Sequence, residues 1–218
     1  MAIEKHVNFF ALQKAAVKPG CFLCRIINDR MFRYIDNMLF EHISDRGFRA
    51  QYRAAGGFCS FHSKTLVSFR DGLAVAILSR DILEDRISTF EKRDPWRPKS
   101  PCPICEERIR TEEGYLSFIA ESEGDSAEEK ELKALITASD GLCAPHYSAL
   151  IITPKGKRRR LPDWLRNFHE KKFRELKRRI DQFIELSAYG RQEEFCQLPE
   201  KDQLVWKEAA EFLKGDVN

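Results

Sequence analysis

Residues 24–44 read CRIINDRMFRYIDNMLFEHIS. The apolar positions Ile27, Met31, Ile35, Met38, Leu39 and Ile43 recur at steps of three and four, the period that lines one face of an α-helix. Alternation at every second residue, the mark of a half-buried strand, is missing from nearly every long segment of the chain. The spacing therefore predicts an all-α protein. Further along, Gly56 and Gly57 fit the end of a short second helix. From Ser60 to Arg93 a longer periodic stretch places Leu66, Phe69, Leu73, Ile77, Leu83, Ile87 and Phe90 for core contact, with Gly72 as its weak point.

Asp94-Pro-Trp-Arg-Pro-Lys-Ser-Pro101 cannot continue a helix, because three prolines remove donors and fix the backbone. Beyond it the pattern restarts at Cys102. Ser126 with Glu129 reads as a capping box, and Pro145 as a first-turn residue of a further helix. A long basic helix runs from Pro162 to Tyr189, and Pro199 to Lys214 forms a last amphipathic segment. The expected organisation is a first helical unit over 1–93, a linker over 94–101, a second unit over 102–190 and a tail over 191–218. Together they make a multi-helix bundle of two pseudo-repeated units with a C-terminal extension.

The repeat lies in the cysteines. GCFLC (20–24) is followed by GGFCSFH (56–62), and PCPIC (101–105) by DGLCAPH (140–146), with 34 and 37 residues between the inner cysteines. A Cys-x-x-Cys turn puts two thiolates on one cation. A Cys at a helix start with a His three residues on turns both toward the same side. Read in chain order, Cys21, Cys24, Cys59 and His62 form one tetrahedral Cys3His shell, and Cys102, Cys105, Cys143 and His146 the other. The expected cofactor is zinc, two ions per chain, in structural sites. Each shell carries a formal charge of minus one, which Arg25, Arg108 and helix N-termini are placed to offset. An iron–sulfur cluster, or redox chemistry at Cys102 and Cys105, is the minor alternative. A haem attachment motif is excluded, because Arg25 and Glu106 stand where histidine is required.

These paired units resemble an uncharacterised bacterial family of duplicated CxxC…GxCxxH helical metal-binding proteins. The resemblance covers roughly the first 150 residues. It reinforces the ligand assignment and implies no substrate.

Seven cysteines without an export signal read as reduced thiols rather than a disulfide framework. With no run approaching the length of a bilayer span, the expectation is a cytoplasmic protein with no membrane partner. A 43% hydrophobic and 33% charged composition is that of a folded chain with solvated helix faces. No phosphate loop, metalloprotease motif or nucleophile elbow occurs, so the reading favours a non-enzyme. The net charge of +3 hides an asymmetry, because residues 155–179 hold twelve Lys or Arg against three acids. Lys155, Lys157, Arg158, Arg159, Arg160, Arg166, Lys171 and Lys172 are candidate nucleic-acid contacts, interleaved with Trp164, Phe168 and Phe173. The leading expectation is a scaffold that binds another macromolecule, protein or nucleic acid. Cys196 reads as an unpaired structural thiol, and His6, His42 and His169 as surface or core-edge residues.

Overall fold

The computed structural model describes residues 7–91, 95–122 and 125–215; His6 lies outside them. Its helices are α1 (Val7–Ala16), α2 (Phe22–Asn37), α3 (Arg46–Ala55), α4 (Ser60–Ser68), α5 (Gly72–Glu91), α6 (Pro103–Ala120), α7 (Ala127–Ala138), α8 (Ala144–Ile151), α9 (Asp163–Leu186), α10 (Gln192–Cys196), α11 (Glu200–Gln203) and α12 (Val205–Lys214). Among the described residues there is no strand, only an isolated bridge between Ile152 and Arg158. The fold is all-α.

The stripe of residues 24–44 is buried as its spacing requires. Ile27, Met31, Ile35, Met38 and Leu39 all lie in the core, Ile43 is half-buried, and the helix widens into a π-turn over Met38–His42. Each such side chain contributes about 1.5–3 kcal/mol by leaving water. Ser126 accepts from the Glu129 N–H while the Glu129 carboxylate accepts from the Ser126 N–H, completing the capping box of α7.

The long stretch from Ser60 is two helices. Arg70 at φ +59° and the Asp71 side chain, which accepts from the Ala74 N–H at 3.0 Å, break it before Gly72. On α5, Ala74, Leu78 and Asp81 are buried, while Leu73, Leu83, Ile87 and Phe90 face solvent rather than the expected core. A helix has two sides, and periodic apolar residues lie here on both; packing against α3 and α4 covers only one.

The chain falls into two compact units, Met1–Ile26 with Glu112–Asn218, and Ile27–Thr111. The division cuts through α2 and α6, not at residues 94–101. In the first unit α1 packs on α7, and α9 receives α10, α11 and α12. Arg179, buried on α9, donates to Asp202 at 2.5 Å, to Glu208 at 2.7 Å and to the Lys201 carbonyl at 3.0 Å, pinning the C-terminal helices.

In the second unit α3 packs on α5 in a register fixed by a ladder of two bidentate pairs. Arg49 grips Asp81 and Arg53 grips Asp85, four residues apart on both helices. Gly56 ends α3 at φ +69°, and a Cβ there would lie 2.0 Å from Trp96, so only glycine admits the 95–101 strap. The Lys99 N–H donates to the Ala54 carbonyl at 2.7 Å and closes the strap.

Candidate metal centres

All four ligand pairs sit at helix N-termini. Cys21 and Cys102 immediately precede α2 and α6, with Cys24 and Cys105 in the first turn. Cys59 and Cys143 are the N-caps of α4 and α8, with nearly identical backbone angles (φ −64°, ψ 166° and φ −65°, ψ 165°), and His62 and His146 follow in the first turn. Two residues before each N-cap cysteine, Gly57 and Gly141 adopt φ +92° and +83°. That left-handed step lets the chain reverse into the ligand turn.

The structure brings together all eight predicted ligands, but exchanges their partners. Cys21 and Cys24 meet Cys143 and His146 in the first unit, and Cys59 and His62 meet Cys102 and Cys105 in the second. The chain-order pairing is therefore corrected: each cluster joins the Cys-x-x-Cys of one repeat to the Cys-x-x-His of the other.

Each cluster holds its four ligand atoms within 4.8 Å of one another. In the first, Cys24 Sγ and Cys143 Sγ are 3.7 Å apart, and His146 Nδ1 stands 3.4, 3.4 and 3.2 Å from Cys21, Cys24 and Cys143. In the second, Cys59 Sγ and Cys105 Sγ are 3.7 Å apart, and His62 Nδ1 stands 3.2, 3.6 and 3.4 Å from Cys59, Cys102 and Cys105. Tetrahedral zinc, with bonds of about 2.3 Å to sulfur and 2.0 Å to nitrogen, requires about 3.8 Å between sulfurs and about 3.5 Å between sulfur and nitrogen. The donor set and its spacing fit one such ion in each cluster.

Metal-free thiols this close divide their protons unequally. Burial pushes Cys21 up, but hydrogen bonds from Cys143 and Cys24 outweigh it and hold Cys21 well below the usual thiol value. Hydrogen bonds to Cys21 and Cys24, then burial, push Cys143 up. In the second cluster Cys59 is lowered, because hydrogen bonds from the backbone and the neighbouring thiols outweigh burial. Cys105 is raised to about 12, by burial first and then by Cys102 and Cys59. Burial and then Arg108 keep His62 below its ordinary value, so it is the neutral imidazole a metal requires.

Other side chains set these turns in place, and the sequence alone did not reveal them. His169 is buried, not at the surface or core edge as expected. Its Nδ1–H donates to the Leu165 carbonyl at 2.9 Å, leaving Nε2 to accept from the N–H of Leu142, beside Cys143, at 3.2 Å. In the second cluster the Tyr52 ring packs edge-on against Phe58, beside Cys59, with ring centres 4.9 Å apart. The Glu112 carboxylate stands 3.7 Å from His146 Nε2, on the side away from the sulfurs. Asp140 accepts from the Gly20 N–H at 2.8 Å and joins the two loops that carry the first cluster. Arg25 donates instead to the carbonyls of Ala15 and Pro19, and so braces the loop before Cys21. No motif links His169 to Cys143; only the fold does.

Three of the eight predicted basic contacts are engaged in ion pairs. Arg159 pairs with Glu113, Arg166 with Asp163, and Lys172 reaches Asp140 at 3.9 Å. Phe168 and Phe173 pack on His169, and Phe173 also packs on Phe212. Lys155, Lys157, Arg158 and Arg160 remain exposed around the turn at Gly156, and Lys171 is exposed on α9. All seven cysteines are free thiols, with Cys196 exposed. Among the described residues no helix is long and apolar enough to cross a membrane.

No protein-family model matches the chain, and no solved structure matches it. It is similar to an "Uncharacterized 23.9 kDa protein in xynA 3'region" of Caldicellulosiruptor sp. (strain Rt8B.4), 30% identical over 100 residues, covering 44% of this chain and 49% of that one. The chain thus matches about half the length of that relative, whose printed name assigns it no activity.

Proposed function

We propose that this protein is a non-enzymatic helical scaffold held by two structural zinc ions, whose remaining surface binds another macromolecule. The observation that carries the reading is the pair of four-ligand Cys3His clusters spaced for one tetrahedral ion each. Four protein ligands close the shell and leave no position for substrate, which is the pattern of a structural rather than a catalytic site. Three thiolates and one imidazole carry a net charge of minus one, and the N-termini of two helices face each ion to offset it. An iron–sulfur cluster spreads its ligands over several irons, whereas ligand atoms within 4.8 Å suit a single ion.

Elemental analysis with an absorption spectrum, on protein purified anaerobically without a metal-affinity tag, tests this. Two zinc per chain, no visible bands and loss of helicity on chelation are expected. Iron with charge-transfer bands, or a fully folded chain after chelation, overturns it.

A nucleic-acid role draws its remaining support from Lys155, Lys157, Arg158 and Arg160, which make no ion pair among the described residues. If they contact phosphates, duplex affinity falls with salt by a log–log slope of about −0.9 for each phosphate neutralised. Replacing all four by alanine removes that dependence, and affinity indifferent to both changes rejects the role.

A further inference from the structure

α5 carries a second apolar face that its own unit leaves uncovered. Leu73, Ala76, Arg80, Leu83, Ile87 and Phe90 follow one another at steps of three, four, three, four and three. That is the a/d seam of a two-stranded coiled coil, sustained for most of a twenty-residue helix about 30 Å long. The buried residues Ala74, Leu78 and Asp81 occupy the opposite side. Leu73, Leu83, Ile87 and Phe90 are 73, 60, 56 and 79% exposed, in a continuous row rather than singly.

The charges flanking the seam indicate what covers it. Glu84 and Glu91 fall on one flank, the e positions, and Arg86 on the other, a g position. In a parallel pair of identical helices, g of one copy meets e five residues further along the other, so Arg86 meets Glu91 of the second copy, twice by symmetry. In an antiparallel pair e meets e and g meets g, which sets Glu against Glu and Arg against Arg. Arg86 is already held at the rim of the seam by stacking over Trp96, 3.5 Å from the ring centre, and its edge N–H groups remain available to donate. Glu91 makes no ion pair among the described residues. Arg80, at an a position, faces Arg80 of the second copy in a parallel pair, a cost its long stem limits by carrying the guanidinium to the rim, where it stands 3.8 Å from Glu84 of its own helix.

We infer that α5 is a self-association helix: two copies of this chain pair in parallel through Leu83, Ile87 and Phe90, with Leu73 and Ala76 extending the contact and Arg86–Glu91 pairs fixing its direction. This gives a partner to the interaction role proposed above, but the contact itself does not depend on either metal centre. The experiment is sedimentation equilibrium of the full zinc-loaded chain over a range of concentrations, with zinc content and helicity read on the same samples.

The unaltered chain is expected to dimerise. Leu83→Glu combined with Ile87→Glu should abolish the dimer at full zinc content and helicity, since both side chains are exposed in the single copy. Arg86→Glu alone, or Glu91→Arg alone, should weaken association by roughly tenfold. The two together in one chain should restore it, which only the parallel arrangement allows. A chain that stays monomeric, a dimer indifferent to Leu83→Glu with Ile87→Glu, or a double reversal no better than the single ones overturns the inference. Loss of zinc with the dimer intact counts against the metal sites alone.

Discussion

The two metal clusters share a ligand set, a glycine turn and a pair of helix N-termini, but they draw support from different parts of the chain. Around Cys59 the turn is braced locally by the packing of Tyr52 on Phe58, and only His62 of the four ligands is buried. Around Cys143 three of the four ligands are buried, the brace is His169 on α9, and the chain returns a third time at Gly215. A Cβ on Gly215 would lie 3.5 and 3.6 Å from the Cys24 and Cys143 sulfurs, so the end of α12 covers that cluster. The same motif thus makes one site that depends on a few nearby residues and another that depends on the C-terminal helices. Metal lability should differ accordingly.

The comparison breaks most sharply at the ligands. Cys24→Ser with Cys143→Ser should remove one zinc, because both residues serve one ion. Cys24→Ser with Cys59→Ser should remove two and unfold most of the chain, since structural zinc contributes on the order of 10 kcal/mol of folding free energy. Metal stoichiometry by mass spectrometry of the intact protein reads both. The opposite pattern would restore the chain-order pairing.

A smaller effect is expected at Arg179. Arg179→Ala strands Asp202 and Glu208 and should cost roughly 2–4 kcal/mol, less than a fully buried pair because Glu208 is 41% exposed. With α12 loosened, zinc should leave the Cys21 cluster faster in a chelator-competition assay, while the Cys59 cluster releases its ion at the original rate. Equal acceleration at both would show that Gly215 does not shield its site.

The smallest effect belongs to His169. His169→Phe leaves the buried Leu142 N–H without an acceptor and should cost about 1–3 kcal/mol. Gln supplies an acceptor and should cost less. Burial holds the His169 pKa down at about 4, against 6.5 when unfolded. Its stabilising effect is therefore complete above pH 6.5 and declines as pH falls toward 4, by roughly 3 kcal/mol in all. The denaturation midpoint of the unaltered chain should fall more between pH 7 and pH 5 than that of His169→Gln. Parallel curves would remove the imidazole from the account.

Helix existence was legible because period and caps are local: the 24–44 stripe and the Ser126–Glu129 box depend on residues within a few positions of each other. The eight ligands were legible because the repeat spells them twice. Their pairing was not, and helix length explains why. The sixteen residues of α2 carry the chain about 24 Å from Cys21, and the ten of α3 span only about 15 Å. In the other repeat, α6 and α7 span about 27 and 18 Å. Neither shorter helix matches the longer one before it, and a spacing of 34 or 37 residues does not record that difference. Leu83, Ile87 and Phe90 misled for a related reason: periodicity marks a face as apolar without saying which molecule covers it.

The crossed pairing also orders events in time. An ion in the Cys59 cluster would have all its ligands once residue 105 has left the ribosome, whereas one in the Cys21 cluster would wait for His146. Cys24 and Cys143 lie 119 residues apart, and the 46 residues from Cys59 to Cys105 fall entirely within that span. Tying the inner segment leaves an effective outer loop of about 73 residues, which lowers the entropic cost of closing it by about 0.4 kcal/mol. So small a gain does little for strength. What nesting would govern is sequence: an ion in the inner cluster would act as a seed during synthesis, and one in the outer cluster as a clasp that fastens once α8 arrives.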